Sequence, residues 1–102
     1  MKPPIEPGRV VFSKKGRDKD RYFVVLYTVD AEFVLICDGD TRKLDHMKKK
    51  RRKHLVACPF EAAQLLPMAA AGTLKDSDIR KVLWPIANGT KGANAPETMR
   101  EG

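Results

Sequence analysis

The sequence predicts a mainly β fold: a small barrel of five short strands, with one or two α-helices following it. Three observations carry this expectation. Apolar residues fall in strand-sized runs rich in β-branched and aromatic side chains, the longest being Phe23-Val24-Val25-Leu26-Tyr27 and Phe33-Val34-Leu35-Ile36-Cys37. Short polar stretches built on Gly or Asp-Gly separate them, as tight turns require. After residue 57 the composition shifts toward Ala, Leu, Gln and Glu, which are helix formers.

Residues 1–8 hold three prolines and then Gly8, an extended lead-in. Val10-Val11-Phe12 reads as the first strand. The polar stretch Ser13 to Asp20 is its loop, bending at Gly16. Tyr22–Val29 is a longer second strand, apolar on both faces, which suits a strand that curls inside a small barrel or is covered on both sides. Asp30-Ala31-Glu32 turns the chain into a third strand, Phe33–Cys37. Asp38-Gly39-Asp40 favours a tight hairpin turn at Gly39, so a fourth strand is expected from Thr41 through Leu44. His54-Leu55-Val56-Ala57 is the expected closing strand. Five short strands joined by short loops imply an SH3-like barrel.

Cys58-Pro59-Phe60 followed by Glu61–Leu66 reads as a first helix with proline at its start, ended or kinked by Pro67. Asp76-Ser77-Asp78 opens a second: Asp76 is the expected cap and Asp78 complements the dipole. Ile79, Val82 and Leu83 form its apolar face, and Pro85 is expected to stop it. The chain thus divides into a barrel at 1–57 containing a basic segment at 42–54, a helical appendage at 58–87, and a flexible tail at 88–102.

The net charge of +7 is concentrated. Residues 1–41 carry seven Lys/Arg and seven Asp/Glu, and residues 55–102 carry five of each. The excess therefore lies in 42–54, where eight cations face one anion, Asp45. A charge focused this way implies a localised polyanionic partner. As a strand the run is charged on both faces, and as a helix on every side. Phosphate relieves that self-repulsion, because each neutralised phosphate releases condensed counterion.

Other chemistries find little footing. Cys37 and Cys58, 21 positions apart and without a C-x-x-C, read as reduced apolar fillers. His46 and His54 sit among cations that repel a metal ion, so no metal site is expected. Ser13, Ser77 and the two histidines form no triad, and no phosphate-binding glycine motif occurs. No enzyme activity, catalytic residue, cofactor or small-molecule substrate is expected. No apolar run approaches the roughly 20 residues of a membrane span, and Met1-Lys2-Pro3-Pro4 has no apolar segment behind it. A cytoplasmic location away from membranes is expected.

The segment from Gly8 to Val25 resembles the KOW motif: a strand, a basic loop turning on glycine, and a second strand. Gly8 begins the first strand, Gly16 occupies the turn and Lys19 matches the lysine near the loop's end. The family commonly has glycine next, where this chain has Asp20. Over residues 7–56 the chain is similar to KOW-containing large-subunit ribosomal proteins, the fourteen-e and twenty-seven-e type and their small bacterial relatives. Asp30-Ala31-Glu32-Phe33-Val34-Leu35 matches a D-x-x-F-V-L strand, and Lys53-His54-Leu55 matches the end of a basic segment. Asp76 through Leu83 fits the Asp-x-x-Ile-Arg-x-x-Leu helix of the bacterial relatives.

The resemblance implies binding of ribosomal RNA, in the cytoplasm and on the ribosome, with ribosomal proteins as possible neighbours. The expected contacts are Lys14, Lys15, Arg17, Lys19 and Arg21 from the Gly16 loop. From the basic segment they are Arg42, Lys43, Lys48, Lys49, Lys50, Arg51, Arg52, Lys53 and His54. Asp18 and Asp20 are expected to offset the loop's charge, and Tyr22, Phe23 and Phe33 to serve the core. A protein-interaction module of the transcription or translation machinery is the alternative.

Overall fold

The computed structural model describes residues 3–88. Five antiparallel strands form one sheet: β1 (Arg9–Ser13), β2 (Arg21–Thr28), β3 (Phe33–Cys37), β4 (Lys48–Arg51) and β5 (Leu55–Glu61). Their order is β4-β3-β2-β1-β5. Helices α1 (Leu65–Ala71) and α2 (Asp76–Ala87) follow, and short 3-10 turns at Leu44–His46 and Arg52–His54 flank β4.

Alternation along the strands separates two cores. Val11, Phe23, Val25, Val34, Ile36 and Leu55 bury one face, with Ile5 of the lead-in against it. Val10, Val24, Leu26, Cys37 and Cys58 bury the other against Leu65 of α1 and Ile79 and Leu83 of α2. This double burial is why β2 is apolar on both faces. The helix-free face buries its residues against one another, which requires a bent sheet. The register shifts between Arg9 and Val11 on β1, and between Val25 and Tyr27, where β2 carries one extra residue against β3, as in the bulges that bend strands.

The expected closed barrel is not formed: the sheet is open, with β4 and β5 as its two edges. The fourth strand is the basic run itself, not Thr41–Leu44. Asp38 explains the shift, because its carboxylate accepts from the backbone N–H groups of Asp40 and Arg42 and from the Thr41 hydroxyl at 2.8–2.9 Å. Those bonds hold residues 38–42 as a wide turn. Gly39 there has φ +75°, and a Cβ would run into the Asp76 carbonyl of α2.

The last strand continues to Glu61, so the 57/58 boundary falls within β5 and residues 58–61 are strand, not helix. Its pairing with β1 outweighs the helix signal of Pro59. The first helix begins later and contains Pro67 in its first turn, where an N–H has no intrahelical partner anyway. Pro85 likewise does not stop α2, which runs two residues further. Its cap is Lys75: the Lys75 N–H donates to the Asp78 carboxylate at 3.0 Å. Asp76, the expected cap, instead accepts from the Leu44 N–H at 2.8 Å and ties α2 to the turn before β4. All but the first residue of the 88–102 tail lies outside the described residues.

Both cysteines are free and buried, and burial pushes the Cys37 thiol up to about 12, with Asp38 and Asp76 adding to it. Among the described residues, no helix is long and apolar enough to cross a membrane.

Candidate nucleic-acid interface

The basic run becomes a strand because β3 offers an apolar edge with unpaired backbone groups. Ile36 opposes Lys48, Leu35 opposes Lys49, Val34 opposes Lys50 and Phe33 opposes Arg51. Period-two alternation then gives the charges different fates. Lys49 and Arg51 flank the Phe33 ring at 4.7 and 4.8 Å, so their cations lie against its π face. Arg51 also pairs with Glu32. Phe33 is therefore half-buried and holds two cations, a role beyond the core filler expected of it.

Lys50 points the other way and is buried. Its Nζ donates to the Lys15 carbonyl at 2.7 Å and lies 3.9 Å from Asp18. Asp18 is itself buried and accepts a fork from Arg42, Nε at 3.0 Å and Nη2 at 3.3 Å. The Lys14 N–H donates to the His54 carbonyl at 3.0 Å. Four contacts thus join the Gly16 loop to the basic segment, and two regions distant in sequence share one surface. A bare Gly16 suits this junction: a Cβ there would approach the Lys50 ammonium at 3.1 Å, and its φ is +81°.

This arrangement sorts the expected contact residues. The side chains of Lys14, Lys15, Arg17, Lys19, Lys43, Lys48 and Lys53 have no ion pair or hydrogen bond among the described residues. Arg42 and Lys50 are committed to Asp18. Arg52 reaches Thr28 Oγ1 at 3.5 Å, and its buried Nε has no hydrogen-bond partner. Arg21 pairs with Asp38 and Asp40 at 3.7 and 3.5 Å and lines a cleft whose walls include none of residues 42–54. Asp18 therefore neutralises two cations of the segment, not those of its own loop. Sequence alone hides this, because a buried acid in a charged loop looks like any other.

The electrostatics register at His54. Partial desolvation lowers its pKa below the ordinary imidazole value, and Lys15, Lys50, Lys53 and Arg51 push it further down. Cations from both segments therefore act on one point. A second signal is Trp84, 67% exposed on α2. Its position follows from the helix period, since Ile79, Val82, Leu83 and Ile86 form the inward stripe and residue 84 falls off it. Compared with known proteins, the chain matches no protein-family model and no curated protein.

Proposed function

We propose that this chain is an RNA-binding domain of the KOW type, its bent sheet a partly open SH3-like barrel, which docks on structured ribosomal RNA of the large subunit through phosphate. The observation that carries the reading is the junction of the Gly16 loop with β4. It sets six cations with no side-chain partner among the described residues around a strand in which three of the four cations are braced, Lys49 and Arg51 by Phe33 and Lys50 by the Lys15 carbonyl and Asp18. The brace matters because a self-repelling run has no compact structure unaided, whereas a positioned one presents charge without paying to order it on binding. The strand order β4-β3-β2-β1-β5 and the Gly8 and Gly16 turns, both at positive φ, support the KOW resemblance. So does Asp20, the residue standing where the family commonly has glycine: its φ of +68° is the left-handed conformation glycine adopts without strain.

Titration of the full chain against fragments of large-subunit ribosomal RNA at several salt concentrations tests the proposal. Affinity should fall steeply with salt, and the protein should co-sediment with large subunits. Tight, salt-insensitive binding to proteins with no RNA affinity would overturn it in favour of a protein-interaction module.

A further inference from the structure

We propose that the cleft between the Asp38–Asp40 turn and α2 is a nucleobase pocket that accepts an unpaired guanine of the bound RNA. The inference rests on the RNA-binding reading and adds a specificity element to it. The cleft has a volume of about 320 Å³ and is lined by Asp20, Tyr22, Asp40, Arg80 and Trp84 among others. That is the small end of the roughly 300–1,000 Å³ range of ligand pockets, the scale of a single base. Trp84 is the chain's one tryptophan and its most exposed large apolar side chain among the described residues, and it forms part of the cleft's wall. Base–aromatic stacking is the sequence-tolerant part of single-strand recognition.

The charges select a base over a phosphate. Three carboxylates (Asp20, Asp38, Asp40) face two guanidinium groups in the lining, and both of those are engaged. Arg80 Nη1 donates to the Gly39 carbonyl at 2.6 Å, and Arg21 is held by Asp38 and Asp40. A phosphate would meet an excess of negative charge. Asp38 is consumed by its own turn and buried, which leaves as acceptors Asp20, whose carboxylate has no partner among the described residues, and Asp40, whose Oδ2 pairs with Arg21 at 3.5 Å while its Oδ1 has none; the Asp40 side chain is 68% exposed.

An ionised carboxylate only accepts hydrogen bonds. Guanine alone presents two adjacent donors, N1–H and N2–H, on its Watson–Crick edge. Adenine, cytosine and uracil each set an acceptor beside their donor and would oppose the carboxylate. The turn that ends the Gly16 loop also brings its left-handed residue to this cleft. Asp20 is the one non-glycine residue at positive φ among the described residues, and it stands in the lining of this cleft. Strained non-glycine positions concentrate at functional sites. Asp20 and Arg21 also end the Gly16 loop, so a strand crossing the cationic surface would pass the cleft mouth.

The test uses U-rich RNA octamers with one central position varied as G, A, C or U, read by anisotropy and by Trp84 emission. The G octamer should bind about tenfold tighter than the others, as one bidentate base contact provides, and should quench Trp84. Asp40→Asn should tighten the U octamer, by removing a negative charge, while cutting the preference for G. An acid that acts only through bulk charge would shift all four octamers alike. Trp84→Ala should weaken the G octamer about tenfold, and Asp20→Gly should lower the preference for G even though it relieves strain. All three positions are exposed, and unchanged urea midpoints for the Trp84 and Asp40 variants would show that the fold is intact.

Equal affinity for the four octamers, or an equal shift on Asp40→Asn, overturns the pocket while leaving salt-dependent RNA binding standing. Saturable quenching by GMP but not AMP, without affinity for structured RNA, would uphold the pocket and overturn the RNA reading.

Discussion

Two classes of lysine lie side by side in β4 and the turn after it, and charge-neutralising variants separate them. Lys48 and Lys53 have no partner among the described residues, and Lys49 touches only the Phe33 ring, whereas Lys50 is buried on the Lys15 carbonyl near Asp18. Changing Lys48, Lys49 and Lys53 together to Gln removes up to three phosphate contacts. Each contact contributes about 0.7–0.9 to the slope of log affinity against log salt, so the slope should flatten by roughly 2–3. Between 50 and 200 mM salt, a fourfold change, the wild-type chain should then lose roughly 20–40 times more affinity than the triple variant. Its urea midpoint should barely move. Lys50→Gln should behave oppositely: the lost charge-assisted hydrogen bond to the Lys15 carbonyl and the weakened pairing of buried Asp18, which keeps Arg42, cost about 1–3 kcal/mol of stability, with little change in slope. Fluorescence anisotropy over a salt series and urea unfolding read both quantities. A triple variant with an undiminished slope would refute the assignment of phosphate contacts. A Lys50 variant that flattens the slope without loss of stability would refute the division into bracing and binding lysines.

Asp18→Asn should destabilise the fold by about 2–3 kcal/mol, less than a fully buried pair because Arg42 retains some solvent, and should raise RNA affinity by releasing Arg42; unfolding and anisotropy check both signs. Asp20→Gly should stabilise by about 0.5–1 kcal/mol through relief of the left-handed backbone, seen as a higher urea midpoint at constant slope. Gly39→Ala should cost more than about 2 kcal/mol, since positive φ and the Asp76 carbonyl both oppose a Cβ. Desolvation and neighbouring cations lower the His54 pKa below the ordinary imidazole value; a nearby phosphate opposes the effect of the cations. RNA affinity should therefore rise as pH falls below the ordinary imidazole value, toward the lower value of the free protein. His54→Gln should remove that rise, which a binding series from pH 7.5 to 5 would show.

The strands that carry the core were legible because alternation and β-branched runs report burial directly. β1, β2 and β3 stand within a residue or two of their expected positions. The fourth strand was not, since nothing in a run of six like charges resembles a half-buried strand. It becomes one only because Phe33, Asp18 and the Lys15 carbonyl arrive from elsewhere in the chain. The boundary at residue 57 failed for a related reason: Pro59 reads locally as a helix start, while pairing with β1 decides the matter over a long sequence separation. Of the candidate site, the residue types and the focusing of charge were visible. Which cations brace and which are free depended on one buried acid, and sequence does not reveal burial in a loop.

A lysine-rich edge strand has a second explanation that needs no RNA. Charged side chains on an exposed edge discourage pairing with another sheet, and β4 is an edge. One or two lysines suffice for that purpose, and they need no partners to hold them in place. Here the edge carries four consecutive cations, two of them drawn onto an aromatic ring and a third onto a buried carboxylate, while more unpartnered cations stand on the adjoining loop. Edge protection would be served as well by a disordered charge, so it does not account for the bracing. β5, the other edge, makes the contrast: its seven residues include one charged side chain, Glu61, and none of the basic segment's density. The proposed polyanion, with its regularly spaced charges, would account for both the density and the fixed positions, and the salt slope would measure how many of them it uses.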